Sequence, residues 1–323
     1  MDIQGKLELI KRNTAEIITE DELIMKLKKK KKLNAYCGYE TSGEIHLGHL
    51  VTMTKLLDLQ KAGINVKVLF ADWHTWLNRK GDWKFIHEQV DLWKKGFKAV
   101  GLNKAEFVLG SSFQRDMKYI DDVIGMSLQT TINRALRSME IVARDIEHAR
   151  VSQVIYPFMQ LADIKHMKID LVVAGLEQRR IHMMGAEGLF KEIRFDKPAF
   201  IHTPLITALT GPGGKMSSSK PETNISIRDT DKAVVDKIKK AYCPEGNVED
   251  NSILQICRLI LFPRLDNFTV RRDAKFGGDV SYESYDALEK DFVKKKLHPA
   301  DLKKAAGDYL CEVLGPIRKA FGK

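Results

Sequence analysis

Two short strings carry side chains suited to phosphate chemistry. His46-Leu47-Gly48-His49 sets two imidazoles three residues apart. Lys215-Met216-Ser217-Ser218-Ser219 sets an ammonium beside three hydroxyls. At the start of a helix, His46 and His49 share a face. The free N–H groups and partial positive charge of a helix N-terminus then help to seat a phosphate. Gly48 has no side chain, so a flat base can lie close to its backbone. The second string lies in Thr207-Ala-Leu-Thr-Gly-Pro-Gly-Gly-Lys-Met-Ser-Ser-Ser-Lys-Pro221, whose three glycines and two prolines argue for a mobile surface loop. Lys215 and Lys220 bring positive charge to a triphosphate there, and Ser217 to Ser219 donate hydrogen bonds. Phosphoryl transfer needs electrostatic stabilisation more than covalent help. Each string has a plainer reading, capping histidines for one and a solvated linker for the other. Their joint presence in one chain outweighs both.

The flanking sequence supplies elements to hold these groups. Asn34 to Tyr39 reads as a strand, followed by a glycine-containing turn, Glu40 to Glu44. From Ile45 the apolar positions Ile45, Leu47, Leu50, Val51, Met53, Leu56, Leu57 and Leu59 suit a helix, with Gly63 as its stop. Further strands are expected at Ile64–Ala71, Ala105–Leu109, Ile169–Ala174 and Ala199–His202. Helices are expected at Asp82–Val100 and from Glu177 to about Leu189. Residues 113 to about 165 interrupt the alternation with a mainly helical pattern. The fold class is therefore α/β: a doubly wound parallel (Rossmann-like) sheet with a helical insertion. Ligands of such sheets sit at the carboxyl ends of the strands, near the switch point. Tyr36, Asp72, His74 and Gly175 to Gln178 are candidates for that crevice. After Asp231 the pattern is helical with loops. The expected division is thus a catalytic domain at 1–222, with the signature loop at 207–222, and a C-terminal all-helical domain at 223–323. Near the start, Thr19 and Glu22 form a capping-box pattern ahead of Leu23, Ile24 and Leu27. The lysine run Lys28 to Lys32 then falls at that helix's end, where the dipole favours cations.

Composition narrows the class. The 323 residues carry a formal net charge of +10, with 44% hydrophobic and 30% charged residues, as expected of a globular chain with a polyanionic partner. Cys37, Cys243, Cys257 and Cys311 are scattered, with no Cys-x-x-Cys or Cys/His cluster for zinc, and no carboxylate cluster marks a protein-held metal site. The sequence opens Met1-Asp-Ile-Gln-Gly-Lys6, without the apolar core of a signal peptide. No run reaches the ~18 apolar residues of a membrane span. A cytoplasmic protein with no membrane association is expected.

The paired strings resemble the signature of class I aminoacyl-tRNA synthetases. Three further strings, Tyr36-Cys-Gly-Tyr-Glu-Thr-Ser-Gly43, Ile155-Tyr-Pro-Phe-Met-Gln-Leu-Ala-Asp163 and Gly175-Leu-Glu-Gln178, resemble the tyrosyl-tRNA synthetases of archaea and eukaryotes. This resemblance runs along nearly the whole chain. It implies that L-tyrosine is activated with ATP, giving tyrosyl-adenylate and pyrophosphate, and is then transferred to the 3′ end of tRNA(Tyr). Tyr36 and Asp163 would bind the phenol. Tyr156, Gln160 and Gln178 would hold the ammonium and carboxylate side. Thr41, Gly43, His46, Gly48 and His49, with Lys215, Met216, Ser217, Ser218 and Ser219, would handle ATP and the Mg²⁺ it brings. His46, His49 and Lys215 would be the catalytic groups, acting through charge. The resemblance also implies a homodimer. The chain departs from the pattern at Thr41, where relatives often have proline, and at Ser218, where many class I enzymes have a second lysine. Whether Lys220 replaces that lysine is left open.

The chemistry of the side chains agrees. A phenol hydroxyl is one donor and one acceptor. Asp163 can accept from it and Tyr36 can donate to it. An indole offers only a donor, so a tryptophanyl-tRNA synthetase is the second reading. A small-molecule nucleotidyltransferase of the same fold and a catalytically silent RNA-binding paralogue stand further off. Arg134, Arg137 and Arg144 recur at helical spacing and, with Arg179 and Arg180, suit a tRNA acceptor stem. The alternative is a solvated face, given Glu140 and Asp145. Phe276 and Asp301 match positions that read the anticodon in similar enzymes. The alternatives are a core phenylalanine and a helix cap. Arg271, Arg272, Lys275 and Lys294 to Lys296 are expected to hold the nearby RNA backbone.

Overall fold

A computed structural model of the chain describes residues 1–29, 32–142, 148–218 and 220–322. Ser219, Arg144, Asp145 and the middle of the Lys28 to Lys32 run lie outside the described residues. Contacts divide the chain into two compact units. The first comprises Met1–Ser42, Lys55–Lys94 and Leu102–Pro204; the second comprises Gly43–Thr54, Lys95–Gly101 and Leu205–Lys323. Each is described by itself.

The first unit is built on six strands: β1 (Glu16–Ile18), β2 (Asn34–Tyr39), β3 (Asn65–Phe70), β4 (Glu106–Leu109), β5 (Leu171–Gly175) and β6 (Ala199–Thr203). Their order is β1-β6-β5-β2-β3-β4. All neighbours pair in parallel except β1 with β6. The chain runs from β2 outward to β4, then returns to the other side of β2 for β5 and β6. The switch point therefore lies between β2 and β5, and Tyr36 of β2 pairs there with Val172. Every residue of β5 and β6 is buried, which explains why β5 reads as an unbroken apolar run; β6 ends on two buried polar residues, His202 and Thr203. The helical insertion forms helices Met117–Leu128, Ile132–Met139 and Val151–His166. Tyr119, Met126, Met139, Phe158 and Leu161 from them join Phe190 and Phe200 in one core.

Two local expectations fail in this unit. Thr19 is not the N-cap of a capping box. Its φ is 65°, and its hydroxyl donates to the Ile18 carbonyl at 2.6 Å, so it turns the chain out of β1. The segment expected as one helix from Glu177 to Leu189 is divided. A 3₁₀ turn, Leu176–Gln178, leads into an α-helix, Arg179–Met184, and a π-turn, Gly185–Leu189. Gly185 explains part of this: a Cβ there would lie 2.5 Å from the Phe190 ring and 2.8 Å from Leu161.

The second unit contains helices Asp231–Lys240, Ser252–Ile256, Tyr285–Val293 and Pro299–Ala320. The segment expected to be all-helical also carries an antiparallel ribbon, β7 (Phe268–Val270) with β8 (Val280–Tyr282). Phe-Thr-Val and Val-Ser-Tyr are β-prone, but three residues are too few to show a period. Gly277 and Gly278 take φ of 95° and 72° in the connection. Side-chain caps from Thr230, Asn251 and Ser284 fix three of the helix starts. Among the described residues no helix is long and apolar enough to cross a membrane.

Two glycines should answer alanine in opposite ways. Gly185→Ala must push a ring or a leucine aside and should lower stability by roughly 1–3 kcal/mol. Gly125, inside the helix Met117–Leu128, has nothing within 4 Å of an added Cβ. Gly125→Ala should raise stability by about 0.5–1 kcal/mol through helix propensity. The midpoint of urea unfolding reads both.

Candidate active site

In the first unit, the helix Val151–His166 buries Asp163 to 1% exposure. Oδ1 of Asp163 accepts from Gln114 Nε2 at 2.8 Å and from the Tyr119 hydroxyl at 2.9 Å. Oδ2 is buried and takes no hydrogen bond among the described residues. Burial pushes the Asp163 carboxyl up to about 8, against the pull of its two donors and with a further push from the Asp72 charge. Tyr36, 2% exposed on β2, keeps its phenolic proton for the same reason, burial first and the Asp163 charge second. The Asp163 charge also reaches Tyr119 and Tyr156, so these groups share one buried neighbourhood. His74 stacks edge-on against Tyr156 with ring centroids 4.6 Å apart. Its Nε2 lies 3.7 Å from Asp163 Oδ2, but burial lowers its pKa to about 3, so the contact is not an ion pair near neutrality.

The remaining tyrosine-site candidates have polar partners or free acceptors. The Tyr156 hydroxyl bonds Glu40, which also accepts from Asn78 Nδ2 at 3.0 Å and pairs with Lys80. Gln160 lies one turn before Asp163 and contacts His182 Nε2 at 3.2 Å. Gln178 has a buried Oε1 without a partner among the described residues. Thr41 is fully buried, and its N–H donates to Thr75 Oγ1 at 3.1 Å. Gln114, Tyr119 and Glu40 were not among the residues singled out from sequence. The first two lie far from Asp163 in the chain and in no recognisable motif, so only the fold reveals them.

In the second unit the two signature strings come together. His46 sits just ahead of the helix Leu47–Lys61 rather than within it, bridged to Ser226. Its N–H donates to His49 Nδ1 at 3.1 Å, and its own Nδ1 accepts from the Gly48 N–H at 3.1 Å. The histidine at 46 is thus also a cap, as the plainer reading had it. A Cβ at Gly48 would lie 2.8 Å from the His46 ring, so the residue's first role here is to admit that ring. Burial, then the Lys215 charge, hold the His46 pKa near 4, and the imidazole is neutral at pH 7.

The second string is held rather than loose. Thr207 bridges to Lys215, the Ala208 N–H donates to the Gly214 carbonyl at 2.9 Å, and Met216 is buried. Ser218 donates to the Glu44 carbonyl at 3.3 Å, and a Cβ at Gly43 would lie 3.2 Å from its Cβ. Asn224 Nδ2 clamps the carbonyls of Ser217 (2.6 Å) and Lys220 (3.1 Å). The side chains of Lys215 and Lys220 are exposed.

The RNA candidates divide. Arg134 pairs with Glu187 at 2.5 Å and Arg179 with Glu16 at 2.7 Å. Arg180 pairs with Glu140 and donates to the Arg137 carbonyl at 3.1 Å. These three arginines remain 41–49% exposed, and such surface pairs contribute little stability, so they can exchange partners. Arg272 donates internally, to the carbonyls of Gly278 (2.7 Å) and Lys296 (2.8 Å). Phe276 is 61% exposed, with Lys275 Nζ 5.0 Å from its ring centroid. His298, not Asp301, caps the helix Pro299–Ala320. The plainer readings of Phe276 as core and Asp301 as cap both fall away.

A parallel sheet with a buried acid beside its switch point, and an H-x-G-H turn facing a lysine-serine loop, agrees with the comparisons. The family model described as tRNA synthetases class I (W and Y) matches residues 28–315. The chain belongs to the class I tRNA synthetases. Within that class its likeness is to the tyrosine enzymes. It is 47% identical to a tyrosine--tRNA ligase of Methanopyrus kandleri over 322 residues, 99% of this chain and 98% of that one. It is 49% identical to a solved tyrosyl-tRNA synthetase complexed with L-tyrosine from Archaeoglobus fulgidus, with a TM-score of 0.96, covering 99% of this chain and 100% of that one. A corresponding structure from Pyrococcus horikoshii, also complexed with L-tyrosine, is 36% identical, with a TM-score of 0.92 and coverage of 100% and 97%.

Asp163 should cost the empty protein stability. Its carboxyl is uncharged when folded but charged when unfolded between its ordinary value of 3.8 and about 8, so folding weakens as pH rises through that window. Asp163→Asn removes the effect. Thermal midpoints should favour the variant most at pH 8 and above and least near pH 4. A variant less stable than wild type at pH 9 would contradict this account.

Proposed function

We propose that the chain activates L-tyrosine with ATP and transfers it to tRNA(Tyr). The observation that carries this reading is the buried Asp163 Oδ2, without a partner among the described residues and able to accept once its proton leaves, in the same neighbourhood as the protonated Tyr36. Together they match the donor and the acceptor of a phenol. A phenyl ring would leave both unpaired and an indole, which only donates, would leave the Tyr36 hydroxyl without an acceptor; a site built for a hydroxyl rejects the analogue that lacks one. Tyrosyl-tRNA synthetase is itself the worked case of that rule.

In the first step a tyrosine carboxylate oxygen attacks the α-phosphorus, and the bond to pyrophosphate breaks. In the second, the terminal ribose hydroxyl of tRNA attacks the acyl carbon, and AMP leaves. Tyr156, Gln160 and Gln178 hold the amino-acid end. Thr41, Gly43, Gly48 and the loop Lys215 to Ser219 seat ATP. His46, His49 and Lys215 stabilise the charge that grows on the phosphates, and no side chain becomes covalently attached. His46 contributes as a neutral donor, since its Nδ1 is already an acceptor and its pKa is low. Mg²⁺ enters with the triphosphate.

Residues 1–222 act as the catalytic part and 223–323 as the anticodon reader. The acceptor stem lies along Arg134, Arg137, Arg179 and Arg180. The insertion exposes the apolar side chains of Met117, Ile124, Leu128, Ile132 and Val151, which suit a second copy of the chain, and we assign a homodimer on that ground. A cytoplasmic location is assigned from the synthetase reading alone.

ATP–pyrophosphate exchange across the proteinogenic amino acids tests the reading. Tyrosine should drive exchange, with phenylalanine and tryptophan far behind, and Asp163→Ala should shrink the preference. Lys215→Ala should slow adenylate formation and leave tyrosine binding nearly intact. Tryptophan as the best substrate would overturn the assignment. Exchange without any tRNA charging would favour a small-molecule nucleotidyltransferase.

Asp301 and Phe276 are assigned to the first anticodon base. Guanine presents N1–H and N2–H₂ donors that a carboxylate accepts, and an exposed ring can stack on a splayed base. Asp301→Ala should impair charging of tRNA with a guanine-first anticodon while leaving tRNA-free exchange intact. Equal charging by variant and wild type would remove Asp301 from this role.

A further inference from the structure

A chain of hydrogen bonds links Gln160 to the edge strand of the first unit. Gln160 Nε2 lies 3.2 Å from His182 Nε2. His182 Nδ1 lies 2.8 Å from His202 Nε2. His202 Nδ1 lies 2.8 Å from Glu16 Oε1, and the same oxygen accepts from Arg179 Nε at 2.7 Å. Both imidazoles are fully buried and nearly parallel, at 10° with centroids 5.1 Å apart. Glu16 stands on β1 directly opposite His202 on β6, so the sheet register sets this end of the chain.

The direction of every bond follows from the last acceptor. An ionised carboxylate only accepts, so His202 Nδ1 carries the proton. A neutral imidazole has one donor and one acceptor, so His202 Nε2 accepts from His182 Nδ1–H. His182 Nε2 must then accept in turn, and its partner is the Gln160 amide N–H. Burial favours the neutral form of both rings. The amide of Gln160 is thereby held one way round, with its carbonyl oxygen left over. That oxygen takes no hydrogen bond among the described residues.

We propose that Glu16, His202 and His182 form a one-way relay that positions the Gln160 carbonyl oxygen to accept from the α-ammonium of bound tyrosine. The proposal rests on the reading of Gln160 as a tyrosine-site residue. Without the acceptor at position 16 the two rings can exchange tautomers. His182 Nε2–H can then donate to the Gln160 carbonyl, and the amide turns its NH₂ toward the substrate ammonium. Glu16 and the two histidines touch neither substrate nor reacting atoms and are positioning residues. The residue that begins the relay is the first of a three-residue strand with no motif around it.

The full-length protein with Glu16→Ala and Glu16→Gln provides the test. In pyrophosphate exchange Glu16→Ala should raise KM for tyrosine about tenfold, the scale of one lost charge-assisted hydrogen bond, with KM for ATP almost unchanged. Glu16→Gln keeps a carbonyl acceptor for His202 but loses the ion pair to Arg179, and it should restore KM for tyrosine. If the ion pair alone mattered, Glu16→Gln would be as impaired as Glu16→Ala, and the relay would be overturned. The second arm needs no substrate. Imidazole ¹⁵N shifts of the free protein should show Nδ1–H tautomers for both His182 and His202, and Glu16→Ala should abolish this state for His182. An Nε2–H tautomer at His182 in the wild type would overturn the relay even with tyrosine activation intact. A wild type with Nδ1–H tautomers but no tyrosine-dependent exchange would instead overturn the substrate reading, and the role proposed for the relay with it.

Discussion

One buried carboxylate organises the first unit. Asp163 has two buried oxygens, and among the described residues only Oδ1 finds partners. A carboxylate in that setting prefers its proton, which is why its carboxyl is pushed up to about 8. The surroundings are arranged around it. Gln114 and Tyr119 reach it from the helical insertion, Tyr36 comes from β2, and His74 stays neutral behind it. An arrangement that leaves a buried polar atom unpaired lowers stability, a common compromise at functional sites, and fits the ligand contact proposed for Oδ2.

The role proposed for the second unit sets a different demand, the placing of positive and neutral groups near an anion. Its turn is stiffened from both sides. Segment Ile45–Leu47 pairs with Ile225–Ile227 through two backbone bonds of 3.0 Å, and Glu44 takes the Ser226 hydroxyl at 2.6 Å and Arg228 at 3.2 Å. Such fixed geometry matters because donors already in place need no reorganisation when charge develops. Lys215 is exposed to solvent, while the buried His46 imidazole is held neutral.

Much of this was legible in the sequence because its signals are local. The alternation of apolar runs and helical periods located β2 to β6 closely, and the two signature strings stood out by composition. What the sequence hid falls into two kinds. Elements of three residues, such as β1, β7 and β8, are shorter than any period that could reveal them. Partners distant in the chain, such as Gln114 with Asp163 or Glu16 with His202, become neighbours only through sheet order and helix packing. Thr19 shows a third source of error. Its spacing to Glu22 fits a cap, but the tight exit from β1 takes its hydroxyl for another purpose.

The central claim is that Asp163 receives the substrate hydroxyl as a carboxylate after standing protonated in the ligand-free protein. Calorimetric titration of tyrosine at pH 7, repeated in buffers of different ionisation enthalpy, measures this directly. The account predicts release of about one proton per tyrosine bound, and none with Asp163→Asn, because a donor to Oδ2 favours the charged form. Binding heats that do not depend on the buffer, or an equal proton release by the Asp163→Asn variant, would contradict it.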